Sequence, residues 1–257
     1  MDNKIYFNDN NTLLYNGDCL DIIPNLPKES VTTIFADPPY NLSNGGITCK
    51  SGRMVSVNKG DWDKSKGFDK DYEFTYNWIK LCKDVLKPNG TIWISGTPHN
   101  TYQVGYALQS LGFHIINEIS WYKPNAPPNL ACRSFAHSHE TLIWAKKDKN
   151  AKHTFNYNLM KDWGSKKKEG KQMRSVWSIP LTPPNEKVHG KHPTQKPIEL
   201  LKRVIASSSR KGDIILDPFN GSGTTGVVAK ALKRNYIGID KEKEFLDLSV
   251  KRINSLK

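Results

Sequence analysis

The sequence predicts an α/β protein built on a Rossmann-like, doubly wound, mostly parallel sheet with one inserted region. Three observations carry this. Short β-branched apolar runs alternate with stretches of helical periodicity along most of the 257 residues. Two of those runs, far apart, end on an acid followed by proline: Asp37-Pro38 and Asp217-Pro218. Between them the alternation gives way to a lysine-rich stretch.

Taken in order, residues 13–16 read as a strand that runs into Gly17-Asp18-Cys19. Leu20, Ile22 and Ile23 lie on a short helix stopped by Pro24. Residues 31–36 (Val-Thr-Thr-Ile-Phe-Ala) form a buried strand ending in Asp37-Pro38-Pro39-Tyr40. The polar stretch from Asn41 to Lys70 lacks periodicity and is expected to be a mobile flap, about 42–70, anchored by Trp62. Phe74, Trp78, Leu81, Cys82 and Val85 recur at helical spacing over 71–86. Pro88-Asn89-Gly90 should end that helix before a strand at 91–94. A helix over 99–111, a strand from Phe113 to Ile119, a loop with Pro124, Pro127 and Pro128, and a strand over 140–145 follow. From His192 the pattern resumes: a helix after Pro197, a strand at 214–216, a glycine loop, a helix through Val227 and Leu232, a strand at 236–240 and a helix over 242–254. The expected organisation is a catalytic part (1–145), an insert (146–190) and a cofactor part of the same domain (191–257).

The net charge is +13, from 38 Lys and Arg against 25 Asp and Glu. Such an excess favours a polyanionic partner. Between Lys146 and Arg174, nine Lys and one Arg face three acids, with Phe155, Tyr157, Trp163 and Trp177 among or just beyond them. Cations mixed with rings suit a nucleic-acid surface, where charges neutralise phosphates and rings contact bases or the core. A solvated excursion with a few rings packed inward is the competing reading. No apolar stretch approaches 18 residues, so no membrane partner is expected. The polar N-terminus and four widely spaced cysteines suit a reducing cytoplasm.

The two strand ends carry the chemistry. Two prolines after Asp37 hold an acid and the Tyr40 ring in a rigid loop. By itself this is also a simple strand stop. The second end reads Asp217-Pro218-Phe219-Asn220-Gly221-Ser222-Gly223-Thr224-Thr225-Gly226, and the next strand ends on Asp240. Strand, glycine turn, helix, strand and acid is the plan of a nucleoside-cofactor site, with Asp240 placed to accept ribose hydroxyls. Gly221, Gly223 and Gly226 also match a dinucleotide fingerprint, but Asp217 would repel a pyrophosphate and suits a cofactor with a positively charged tail. No Lys-Ser/Thr follows the last glycine, so a Walker A loop fits poorly.

Together these blocks resemble the β-class DNA amino-methyltransferases, which use S-adenosylmethionine, and are most similar to the MboII-type adenine enzymes. That class places the Asp-Pro-Pro-Tyr motif first, the target-recognition region next and the cofactor loop last, as here. His192-Pro193-Thr194-Gln195-Lys196-Pro197, Gly17-Asp18-Cys19 and the phrase His-Thr-Phe-Asn-Tyr at 153–157 add to the likeness. The resemblance implies that Asp37, Pro38, Pro39 and Tyr40 are catalytic: Asp37 and the Pro38 carbonyl accept the amine's N–H groups, and Tyr40 stacks on a base turned out of DNA. It implies cofactor contacts for Asp18, Cys19, Asp37, Thr194, Lys196, Asp217, Phe219, Asn220, Gly221, Ser222, Gly223, Thr224 and Asp240. It makes 146–190 the target-recognition insert, with Lys161, Lys166, Lys167, Lys168, Lys171 and Arg174 on DNA phosphates.

Asp at the first motif position favours adenine N6 as the target over cytosine N4. Methylation of an RNA base or a protein amide, and a DNA-binding regulator with a degenerate fold, are the other readings. Double-stranded DNA is the expected partner; a homodimer and a cognate restriction endonuclease are further partners that the resemblance allows. His137, His139, His189 and His192 lack the cysteine or carboxylate that would complete a metal set, so no metal is expected. His139-Glu140 resembles a block at the edge of the base pocket. Cys19 lacks the Pro-Cys context of the C5-cytosine enzymes and is read as a packing or pocket residue.

Overall fold

The computed structural model describes residues 4–43, 47–50, 53–56, 60, 63–163 and 171–256. Its centre is the predicted doubly wound sheet. Five parallel strands come first: β2 (Thr12–Asn16), β11 (Asn235–Asp240), β10 (Ile214–Asp217), β3 (Val31–Ala36) and β6 (Leu86–Gly96), in that spatial order. β8 (His139–Lys146) pairs antiparallel with β6, and β7 (His114–Tyr122) antiparallel with β8, so β7 again runs with the core. Two edge strands complete this sheet, which has nine strands among the described residues. They are β1 (Ile5–Asp9), antiparallel to β2, and β9 (Val176–Ser178), parallel to β7.

Alternation along the strands builds two cores. On one face, Ile34, Ala36, Ile92 and Ile94 meet α1 (Cys19–Ile22), α2 (Phe68–Val85) and α3 (Thr101–Ser110). On the other, Phe35, Trp93 and Trp144 meet α5 (Ile198–Ser208), α6 (Thr224–Ala231) and α7 (Lys243–Asn254). Trp93 stacks on Trp144 with ring centroids 4.7 Å apart, and its indole N–H donates to Ser208 Oγ (3.1 Å). Covering both faces lets the parallel strands be apolar throughout.

Three local expectations change. Pro88-Asn89-Gly90 does not precede the strand but lies inside β6 as an irregular stretch: Leu86 pairs with Val31 and Thr91 with Thr33. The expected flap contains a hairpin, β4 (Ile47–Lys50) and β5 (Arg53–Ser56). Its anticipated anchor, Trp62, lies outside the described residues. The basic segment also contributes structure that its composition hid, α4 (Tyr157–Asp162) and β9. Asn156 ties it to the end of α5, donating to Ala206 O (2.7 Å) and Ser209 O (2.8 Å).

Candidate active site

In a parallel sheet the carboxyl ends of the strands gather on one edge, and ligands sit beyond them. Adjacent strands β3 and β10 therefore deliver Asp37 and Asp217 to one cleft of about 710 Å³. Its lining also includes Asp18, Cys19, Pro38, Pro39, Tyr40, Thr194, Lys196, Phe219, Asn220, Gly221, Ser222, Thr224 and Asp240. Of the residues expected to hold the cofactor, Gly223 alone is absent from that lining. It turns toward α7, where a Cβ would stand 2.4 Å from Ser249 Oγ.

Asp37 is engaged on both oxygens. Lys196 Nζ donates to Oδ2 (2.6 Å) and the Tyr40 hydroxyl to Oδ1 (2.5 Å). Tyr40 also lies 2.7 Å from Ser95 Oγ and 3.3 Å from Glu140 Oε2, and the Lys196 ammonium stands 5.1 Å above its ring. Glu140 binds Lys123 (3.1 Å) and approaches Lys196 (3.6 Å). Two ammonium groups and two carboxylates thus form one nearly dry network. Burial opposes the charge on Lys196, but Asp37 and Glu140 outweigh it and hold the ammonium above its ordinary pKa. Burial likewise opposes ionisation of Glu140, and Lys196 and Lys123 reverse that, holding it below the usual carboxyl range. The ring expected to stack on a base is only 7% exposed here, with the ammonium over one face.

Asp63 was not anticipated. Its buried carboxylate accepts N–H bonds from Tyr40 (2.9 Å), Asn41 (2.9 Å) and Leu42 (3.1 Å), and the Ser43 hydroxyl (3.0 Å). Asn41 takes a left-handed φ of 59° at this turn. Asp63 is therefore the link between the 42–70 segment and the Asp-Pro-Pro-Tyr loop.

On the cofactor side, Asp217 accepts from Thr225 Oγ1 (2.6 Å) and Phe219 N (3.0 Å). Burial pushes its pKa up to about 7. Asp240 accepts from Gly221 N (2.6 Å) and Glu242 N (2.9 Å), and burial pushes it up to about 6. Gly221 and Gly223 adopt φ of 48° and 70°, which a side chain would oppose. Phe219 packs edge-on to Trp78, 5.2 Å between centroids. The Asn220 side chain points into the fold, donating to Ser249 Oγ (2.7 Å) and accepting from Tyr236 (2.8 Å). Buried Arg252 grips the loop from below through Ser222 O (2.7 Å), Ser222 Oγ (3.0 Å) and Thr224 Oγ1 (2.8 Å). Neither Asp63 nor Arg252 carries a signal in sequence, because only the fold supplies their partners. Asp18 caps α1 through Leu20 N (2.9 Å) and pairs with Lys241 (2.7 Å). Cys19 is buried at the cleft wall, and burial raises its thiol, which keeps it protonated.

The expected phosphate contacts divide. Lys171 and Arg174 are exposed, Lys161 sits 5.4 Å over the Tyr157 ring, and Lys166, Lys167 and Lys168 lie outside the described residues. Three of the segment's four rings serve the body instead. Trp177 is buried beside Trp93, Phe155 packs on Trp144, and Trp163 donates to Glu199.

Comparisons with known proteins agree with this geometry. The family described as DNA methylase (N6/N4) matches residues 31–251. The Type II methyltransferase M2.DpnII of Streptococcus pneumoniae is 54% identical over 253 residues, spanning 98% of this chain and 93% of that protein. M2.LlaDCHI of Lactococcus lactis subsp. cremoris, also a Type II methyltransferase, is 52% identical over 98% of this chain and 92% of its own. The crystal structure of the M1.HpyAVI–SAM complex superposes with a TM-score of 0.69 at 29% identity, covering 95% of this chain and 99% of that one. With Asp37 and the glycine loop meeting in one cleft, and a match across most of its length, the chain belongs to the N6/N4 DNA methylase family.

Proposed function

We propose that this chain methylates the N6 amine of adenine, turned out of double-stranded DNA at a defined sequence, as the modification enzyme of a bacterial restriction system. DNA methyl transfer from S-adenosylmethionine is the activity of the family; the choice of amine and base is our reading. The observation that carries it is the meeting of Asp37-Pro38-Pro39-Tyr40 with the Asp217–Gly226 loop in one cleft. Asp37 at the first position favours adenine over cytosine. The order of the two motifs supports the β class, and Asp-Pro-Pro-Tyr-Asn-Leu with the 153–157 phrase supports the MboII type.

The residues present fit the cofactor. Backbone N–H groups and the Thr225 hydroxyl fix Asp217 and Asp240 at the cleft wall, the first where it would face the cationic end of the cofactor and the second where it would accept ribose hydroxyls. A Cβ on Gly221 would stand 3.2 Å from His192 and fill the cradle. Asp217, Phe219, Gly221, Ser222 and Thr224 would hold the methionine and ribose region, Asp240 the ribose hydroxyls, and Asp18 and Cys19 the adenine. Thr194 and Lys196 would hold the carboxylate, with Asn220 and Gly223 shaping the loop. The sulfonium, when bound, supplies an electrophilic methyl.

A base amine is a poor nucleophile because its lone pair is delocalised into the ring. Asp37 and the Pro38 carbonyl, accepting its N–H groups, would favour localising that pair. Asp37 becomes available when Lys196 exchanges it for another carboxylate. Tyr40 would then offer a stacking face, worth about 1–3 kcal/mol against the cost of removing a base from the duplex. We assign 146–190 to target recognition, with Lys161, Lys166, Lys167, Lys168, Lys171 and Arg174 on phosphates. Location in the bacterial cytoplasm, a homodimer and a partner endonuclease accompany this reading.

The test is transfer of labelled methyl to unmethylated duplex DNA, followed by digestion and nucleoside analysis. N6-methyladenine is expected, and its loss in Asp37→Ala with cofactor binding retained. N4-methylcytosine alone would overturn the adenine assignment.

A further inference from the structure

The loop between β7 and β8 has no assigned role, yet its tip is built. Phe135 is 96% exposed, the most exposed large apolar side chain among the described residues. Water disfavours such a ring, and a flexible loop would let it fold back. Here side-chain hydrogen bonds tie the turn before it. Asn129 Nδ2 donates to Ser134 O (2.9 Å) and Ser134 Oγ (2.7 Å), while Asn129 Oδ1 accepts from Ala131 N (3.0 Å). Pro124, Pro127 and Pro128 stiffen the ascending limb, and Leu181 N donates to Asn125 Oδ1 (3.0 Å).

The foot of the loop is part of the active site. Lys123 N donates to Ser138 O (2.7 Å), closing the neck. Lys123 Nζ binds Glu140, which approaches both Tyr40 and Lys196. Since β7 runs with the core strands, the loop rises from the same sheet edge as Asp37. It contains Arg133 and no acid from 123 to 138, so nothing in it repels a phosphate backbone.

We propose that Phe135 is a wedge that enters the base stack beside the target and fills the space left when that base turns out. Apolar side chains do insert between base steps, and a ring that stacks on the exposed bases recovers about 1–3 kcal/mol of the unstacking cost. The Asn129–Ser134 turn holds the ring ready, and the Lys123–Glu140 pair fixes the loop's foot beside the base pocket. This inference rests on the reading that the enzyme works on duplex DNA with an extruded base.

The experiment compares wild type, Phe135→Ala and Phe135→Trp on unmethylated genomic DNA, native and heat-denatured, with cofactor affinity and oligomeric state measured alongside. Phe135→Ala should lose roughly five- to hundredfold in methylation of native duplex, the range spanned by a lost base–aromatic stack. On single strands, where no stack needs wedging, it should match wild type, and Phe135→Trp should retain duplex activity. Equal rates for Ala and wild type on duplex overturn the wedge. So does an equal loss on both substrates, which would mark a general defect, or a changed oligomeric state, which would make Phe135 a contact between copies. Wild type inactive on duplex would instead overturn the duplex reading beneath it.

Discussion

Lys196 Nζ stands 2.6 Å from Asp37 Oδ2, an ion pair between residues 159 positions apart that closes the cofactor side of the cleft onto the catalytic loop. The same ammonium lies 3.6 Å from Glu140. One cation therefore holds two largely buried carboxylates together.

Lys196→Met should cost about 3–5 kcal/mol in urea unfolding at pH 8, the scale for stranding one side of a buried pair. The loss should shrink toward pH 5. Without the ammonium, Asp37 and Glu140 repel each other in a dry site, which raises their folded-state pKa. A carboxyl raised in the folded state takes up its proton there first, so stability is present at low pH and lost as pH rises. A penalty that does not change with pH would show that the ammonium does not hold the two acids together.

Asp217 and Asp240 set a second pH dependence. Their folded pKa values of about 7 and about 6 lie above the ordinary 3.8. The folded protein therefore binds these protons more tightly than the unfolded chain, and the stability of the ligand-free enzyme should fall as pH rises from 3.8 toward 7. Asp217→Asn should flatten that slope. Affinity for the cationic cofactor should rise over pH 6 to 7 with proton release, measured by titration calorimetry in buffers of different ionisation enthalpy. Affinity unchanged over that range would separate Asp217 from the cationic tail.

Asp63→Ala should lower kcat while leaving cofactor affinity nearly unchanged, because its carboxylate fixes the backbone of Tyr40, Asn41 and Leu42 and not the glycine loop. Stability should fall by about 1–3 kcal/mol, the cost of buried N–H groups left without an acceptor. Calorimetry and single-turnover transfer separate the two effects. A weakened cofactor with normal chemistry would contradict the assignment.

Gly223→Ala combines two penalties, a left-handed backbone and a Cβ 2.4 Å from Ser249 Oγ. The expected loss is about 2–4 kcal/mol. Adding Ser249→Gly should return the packing part and leave the backbone part. A double-mutant cycle in denaturant reads the coupling directly; additive losses would place the clash elsewhere.

The alternation of buried strands with helices was legible because β-branched runs and 3.6-residue periodicity are local signals. Asp37 and Asp217 were legible because each closes such a run and precedes proline. What the sequence hid depends on partners far along the chain. Arg252 reads as an ordinary basic residue near a helix end, yet it is buried under Ser222 and Thr224. Asp63 sits in a polar stretch without pattern, and only folding brings the Tyr40 turn to it. Trp177, beside a run of lysines, reads equally as a base contact or a core ring; packing against Trp93 decides for the core. Lys196 lines the cleft as the motif implies, and it also meets Asp37, a contact the same local motif could not foretell.

The spatial order of the strands has a consequence for biosynthesis. β10 and β11, from the last quarter of the chain, stand between β2 and β3, which leave the ribosome well before them. A nascent chain stalled before residue 214 therefore lacks the middle of its own sheet, with the apolar flanks of β2 and β3 unpaired. Folding must wait for the carboxyl-terminal segment, so premature termination should yield aggregating fragments rather than a partly active enzyme. Supplying residues 191–257 as a separate peptide offers a direct way to watch that final insertion.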